Sequence, residues 1–356
     1  MPVVAALALA GVGPLATSLT ASAHGSLPPR TAAQLLVDVQ QAKLQALSGT
    51  VVETSDLGLP SLPTFGGRGG GSTSFSSLVS GSHTLRLWYA GPDRVRVALL
   101  GQLGESDLVR NGTDVWAWSS SDNTATHWSV PSDGTAPLTP DQGTGPSMTP
   151  QQAAEAALKA IDPSTRVATD PTAVVAGRSA YQLDLTPRDP RSLVGSVRIA
   201  IDGSTHIPTR VQVFARGATS PAFQIGFTSF STATPPASTF GFRPPPGATV
   251  KQGNAAQPDS GAPKHARPAN AAPQVVGTGW TSVVIAHVGT GTTGQGTTGQ
   301  GSSLASALES LPTVSGSWGS GHLLRGPLFS AVLTDGGRLA VGAVAPQMLY
   351  DALAHG

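Results

Sequence analysis

Eight histidines, at positions 24, 83, 127, 206, 265, 287, 322 and 355, are the side chains best suited to proton transfer or metal binding near neutral pH. No two stand at a spacing that would put both rings on one helix face, and no carboxylate adjoins any of them in sequence. The zinc-protease HEXXH, the nucleophile elbow GXSXG and the phosphate-binding glycine-lysine loop are all absent. The chain has no cysteine, which excludes thiolate metal sites, cysteine nucleophiles and disulfides. GTGTTG at 289–294 matches the dinucleotide fingerprint G-x-G-x-x-G, with Glu309 placed 20 residues after Gly289. In a dinucleotide site, however, the last glycines open a helix whose N-terminus faces the pyrophosphate. Here the Gly/Thr/Gln/Ser run simply continues, so a loop is expected. Asp184, Asp189 and Asp202 are isolated or sit at turns, and Arg86, Arg94, Arg96, Arg198 and Arg210 alternate with apolar neighbours, as on the wet face of a sheet. The expectation is a chain with no catalytic residue, no cofactor and no metal.

The large aromatics raise a different possibility. Three of the six tryptophans fall in LVRNGTDVWAWSSSDNTATHW, residues 108–128. They could form core, stack a cofactor or line a ligand wall. Asn111-Gly112 is a strong hairpin signal, and Trp116 and Trp118, two apart on the returning strand, must share a sheet face. Trp128 depends on the following turn.

Stepping outward, 356 residues with 39% hydrophobic and 12% charged side chains, 43 Gly and 30 Pro favour strands and turns over helices. A net charge of +1 without a basic cluster excludes nucleic acid as a partner. Residues 1–23 contain VVAALALAGVGPLATSLTASA, an apolar run closing on Ala21-Ser22-Ala23. That predicts an exported, extracytoplasmic protein of the cell envelope, with the run acting as a signal peptide or an N-terminal membrane anchor.

Residues 24–250 read as one domain. A helix is expected over Ala32–Leu47, capped by Thr31 with Gln34 completing a capping box, and a second over 150–162 behind Thr149. Alternating strands are expected at 47–54, 83–90, 94–100, either side of Asn111-Gly112, 125–130, 180–187, 194–203, 207–217 and 221–231. Residues 58–82 read as a long loop and 251–275 as a Pro/Ala-rich linker. Residues 276–356 read as a small α+β domain. The apolar positions of these strands outnumber what two helices can cover. Leu85, Leu87, Tyr89, Val95, Val97, Leu99, Trp116, Trp118, Leu183, Leu185, Val197, Ile199, Ile201, Val211, Val213, Phe223, Ile225 and Phe227 are expected on one side of a curved sheet, either as core or as the lining of a hydrophobic cavity.

The order of these parts resembles a known family. Helix, LSGTVVET, GPDRVRV, LVRNGTDVWAW, a central helix, YQLDLTPRD, VRIAID, IPTRVQVFARG, IGFTSF and FGFRPPPGATV, over about 32–250, are similar to the bacterial lipoprotein carrier LolA and its relatives LolB and the sigma-E regulator RseB, especially the exported actinobacterial branch. The resemblance implies a mainly β fold with some α: an unclosed antiparallel β-barrel, or half-barrel, with a helical lid over a cavity for acyl chains, and no catalysis. The tail beyond the linker departs from LolA and is similar in arrangement to RseB. The ligand-binding set expected on this basis is Leu87, Tyr89, Val97, Leu99, Trp116, Trp118, Leu185, Ile199, Val213, Phe223, Ile225 and Phe227, with Arg96 matching the strand arginine that family carriers place near the cavity mouth. The partners implied are a lipid or lipoprotein acyl chain and a membrane protein such as an anti-sigma factor, bound by a monomer.

Overall fold

The computed structural model describes residues 26–58, 81–101, 104–130, 158, 159, 162–253, 273–287 and 311–355. The N-terminal run, the long loop after residue 58, the centre of the linker and the glycine-rich loop at 289–294 lie outside them, as does the second helix apart from two helical residues, Leu158 and Lys159.

Helix α1 (Ala32–Gln41) starts as its sequence dictates. The Thr31 hydroxyl accepts from the Gln34 backbone N–H at 3.2 Å, and the Gln34 side chain accepts from the Thr31 N–H at 2.9 Å. It stops at Gln41 rather than Leu47, because Leu47 is taken by the first strand, where it pairs with Tyr89. The apolar stripe of α1 lies on the sheet: Leu35, Tyr181 and Ile201 form one buried cluster with Leu27, Val39 and Ile199.

Strands β1 (Leu47–Ser55), β2 (Gly81–Tyr89), β3 (Arg94–Leu100), β4 (Glu105–Asn111), β5 (Asp114–Ser119) and β6 (Thr124–Ser129) run as a meander. A second meander follows: β7 (Thr165–Val175), β8 (Arg178–Pro187), β9 (Val194–Asp202), β10 (Pro208–Ala215) and β11 (Pro221–Ser231). The pairing of β1 with β11 joins them, and β12 (Thr249–Gln252) adds itself in parallel to β6. The result is one twelve-stranded sheet, order β12-β6-β5-β4-β3-β2-β1-β11-β10-β9-β8-β7, unclosed at β12 and β7. The fold is thus mainly β, an open half-barrel.

Two local expectations change. The hairpin at Asn111-Gly112 is present, but Asn111 pairs with Asp114, so the two-residue loop is Gly112-Thr113, and Gly112 alone takes the left-handed φ, at 65°. Strand β7 was not expected, because Asp170-Pro171 breaks its pattern. The proline sits at a register shift between Asp170 and Ala173 on an edge strand, where its missing N–H costs no ladder bond.

Among the described residues, the C-terminal part is a six-stranded antiparallel sheet with one helix. It comprises β13 (Gln274–Val276), β14 (Val283–His287), β15 (Thr313–Gly316), β16 (Gly319–Arg325), β17 (Ser330–Thr334) and β18 (Arg338–Gly342), followed by α2 (Pro346–His355), in sheet order β13-β14-β18-β17-β16-β15. Leu349, Ala352 and Leu353 of α2 bury against Val283, Ile285, Val332 and Ala340. This small domain is joined to the half-barrel by more than its linker. Leu193 N–H donates to the Ala343 carbonyl at 2.7 Å, and the Trp280 indole N–H donates to the Thr165 hydroxyl at 2.7 Å. Leu328, Phe329 and Trp280 share a cluster with Val194, Val197, Val213, Ala222 and Phe223.

Candidate functional site

Directly paired residues share a face of a sheet, and faces alternate along each strand. Following the pairs from β8 gives one continuous row system. Leu183, Ile199, Val211 and Ile225 are matched in turn, as are Leu185, Val197, Val213 and Phe223. Ile225 pairs with Glu53, whose strand neighbour Val51 pairs with Leu85. On β2 and β3, Leu85 meets Leu99, Leu87 meets Val97 and Tyr89 meets Val95, and Val97 meets Leu108 on β4. This is the apolar face. Leu99 and Leu183 are buried on it, whereas Leu87, Tyr89, Val97, Leu185 and Ile199 are half-buried, and Leu108 and Ile225 remain 39% and 36% exposed.

Trp116 and Trp118 do share a face, but it is the other one. Trp116 pairs with Val109, Val109 with Arg96, and Arg96 with Trp88. The expectation of a single apolar side holding the tryptophans with Leu87 and Val97 is therefore corrected. The parity is set by the two-residue loop after β4, which puts Ala117, not Trp116, across from Leu108. Trp128 pairs with Val115, which is matched through Arg110 to Val95, and so lies on the apolar face, away from Trp116 and Trp118.

On this second face the indoles have local partners. Trp116 stacks on His127 at 4.4 Å between ring centroids, and His127 Nε2 lies 3.0 Å from Asp114. The Trp118 indole N–H donates to the Asn123 side chain at 3.4 Å. Phe242 closes over both, 5.4 and 6.5 Å from Trp116 and Trp118. It belongs to the closing FGFRPPP segment, which crosses the sheet here through a 3-10 turn, Ala237–Phe240, whose Phe240 is 1% exposed.

Arg96 lies under the same strap. Its Nη2 donates to Asp107 at 2.7 Å, its Nη1 to the Thr239 carbonyl at 3.4 Å, and its guanidinium sits 5.5 Å over the Trp88 ring. Glu105, 3.9 Å from Arg96, has its pKa raised by burial and by the neighbouring Asp107 carboxylate. Arg96 thus braces the strap on the face opposite Leu87 and Val97.

Of the remaining expected residues, Val213 and Phe223 lie on the apolar face at the end where Leu328 and Phe329 of the small domain pack. Phe227 stands beside the β11 irregularity, pairs with Val51 and packs with Val175, Ala180 and Ala200. Leu108, on the strand before the tryptophans, was not among the expected residues; its pairing with Val97 is what places it on the apolar face. Glu53 and His83 were also missed. They are 30 residues apart, yet the β1–β2 register sets them side by side on the apolar face, with Oε2 of Glu53 and Nδ1 of His83 at 2.9 Å and both side chains buried.

No family model and no curated protein matches this chain. Solved structures similar to it include the MucA/MucB complex of Pseudomonas aeruginosa, at 16% identity over 90% of this chain and 96% of that one, TM-score 0.41. An uncharacterized conserved protein from Thermus thermophilus is 11% identical over 61% of this chain and 96% of its own, TM-score 0.32. A LolA superfamily protein from Nitrosomonas europaea is 10% identical over 60% of this chain and 99% of its own, TM-score 0.22.

Proposed function

We propose that this chain is an exported, non-enzymatic binding protein that holds a lipid or lipoprotein acyl chain against the apolar face of the half-barrel, as a monomeric carrier or sensor. The observation that carries this reading is the incomplete cover of that face. Rows of Leu, Val, Ile and Tyr on β2 to β4 and β8 to β11 stay half-buried, with Leu108 and Ile225 open. Contiguous apolar surface left open on a water-exposed protein marks a binding surface, and the order of sequence motifs resembles that of acyl-chain carriers. Within the reading, Leu87, Tyr89, Val97, Leu99, Leu185, Ile199 and Ile225 line the site, with Leu108 added. Val213 and Phe223 bound it at the small domain, and Arg96, Trp116 and Trp118 support it from the other face. Among the described residues no helix is long and apolar enough to cross a membrane; attachment or export is assigned to residues 1–23. Mass spectrometry of lipids extracted from the purified full chain tests the reading. Co-purified acyl lipid is expected, and a lipid-free protein with no affinity for an acyl probe would overturn it.

A second reading, a regulator that binds a membrane anti-sigma factor through its C-terminal domain, is favoured by one observation. Val275 and Val284, paired on β13 and β14, are 61% and 40% exposed at the edge of the small sheet. Crosslinking to a membrane protein that is abolished by Val284→Lys, with acyl binding intact, would support it.

A further inference from the structure

The apolar face contains one side chain that does not suit it. Glu53 lies in β1 between Ile225 of β11 and His83 of β2, only 3% exposed. Its Oε2 takes a hydrogen bond from His83, itself 7% exposed, and its Oε1 is buried with no hydrogen-bond partner. A carboxylate accepts through both oxygens, and one left open in an apolar setting costs stability that a leucine at this position would not. His83 fixes the carboxyl group by one oxygen and leaves the other unused.

The position of that open acceptor is specific. His83, Leu85, Leu87 and Tyr89 follow one another on the same face of β2, a row roughly 20 Å long at the usual rise per residue. Leu99, Val97 and Val95 form the parallel row on β3. Glu53 and His83 stand at one end of these rows, and the positions beyond them on this face of β2 and β3 are Leu85, Leu87, Tyr89, Leu99, Val97 and Val95.

We propose that Glu53, held by His83, receives the polar end of the bound lipid, and that the site therefore takes acyl lipids whose head carries an N–H or O–H donor, an ammonium, amide or hydroxyl group, in preference to those ending in a carboxylate. The chain lies along the Leu85–Tyr89 row with its head at Glu53. A carboxylate head would put two acceptors against each other with no proton donor between them. This assignment rests on the acyl-chain reading above and adds a head-group rule to it.

The test displaces a fluorescent acyl probe from the purified full chain with three ligands of equal chain length: dodecylamine, monolauroylglycerol and dodecanoate. A hydrogen bond to the carboxylate predicts that the amine and the glyceride bind at least about tenfold more tightly than dodecanoate, the charged amine the more tightly of the two. In Glu53→Gln, which keeps an acceptor but removes the charge, the advantage of the amine over the glyceride disappears. In Glu53→Leu both advantages over dodecanoate disappear while the probe still binds. Equal affinity for the three heads in the unmodified protein, or a gap that survives Glu53→Leu, overturns the assignment and leaves acyl binding standing. The ranking in the unmodified protein decides the matter even where a variant does not fold. Failure of the probe and all three ligands to bind overturns the acyl-chain reading itself.

Discussion

Arg96 and Asp107, on neighbouring strands, form an ion pair of 2.7 Å in which the carboxylate is 3% exposed and the guanidinium also reaches the Thr239 carbonyl. The pair ties the closing segment to the meander. Arg96→Ala would leave a buried, uncompensated carboxylate, so a loss of about 3–5 kcal/mol in urea unfolding is expected, with acyl binding per folded molecule unchanged. A variant that keeps its stability and loses binding would instead give Arg96 the ligand role implied by the family resemblance.

Asp202, 1% exposed, is clamped by Arg178 at 2.6 and 3.0 Å. Burial pushes its pKa up, but the Arg178 bonds and those from the Thr205 N–H and hydroxyl outweigh burial and bring it down to about 2. A folded pKa below the unfolded value of about 4 means the contribution is complete above pH 4 and fades as pH falls through 4 toward 2, a total of about 2.5 kcal/mol. Unfolding midpoints measured from pH 6 to pH 2 should show unmodified protein and Asp202→Asn converging in acid. A gap that stays constant with pH would refute the linkage.

Leu108 separates the two faces experimentally. It is exposed and directly opposite Val97, so Leu108→Asp should fold normally and weaken an acyl probe by about tenfold or more, the cost of placing a charge beside a buried chain. Trp118→Ala, on the other face, should leave probe affinity within about twofold while lowering Tm through lost contact with Phe242. The reverse pattern would place the ligand under the tryptophans.

Trp280 joins the two sheets through its bond to Thr165 and its place beside Leu328. Trp280→Ala is expected to lose about 2–4 kcal/mol and to split one calorimetric transition into two. A single transition at lower temperature would mean the remaining contacts, such as Leu193 to Ala343, suffice for cooperative unfolding.

Apart from β7, the strands of both meanders could be read from alternation, and Thr31 and Gln34 marked the start of α1 because a capping box is local chemistry. What could not be read was parity between strands. One residue in a turn reverses every side chain that follows; the four residues between Leu100 and Glu105 pair Val97 with Leu108, and the two between Asn111 and Asp114 pair Leu108 with Ala117, so the tryptophans fall on the side away from Val97. Strand β7 was hidden because Pro171 imitates a break. The Glu53–His83 pair had no sequence signal, since each residue looked isolated until β1 and β2 were in register.

Pro171 also bears on how molecules of this kind coexist. An unclosed sheet has two rims, the usual template for fibre growth. Here one rim is interrupted by the proline and its register shift, and the other is a four-residue strand carrying Lys251, exposed throughout. Neither rim therefore offers a long, continuous ladder to a neighbour, which disfavours polymerisation along the sheet.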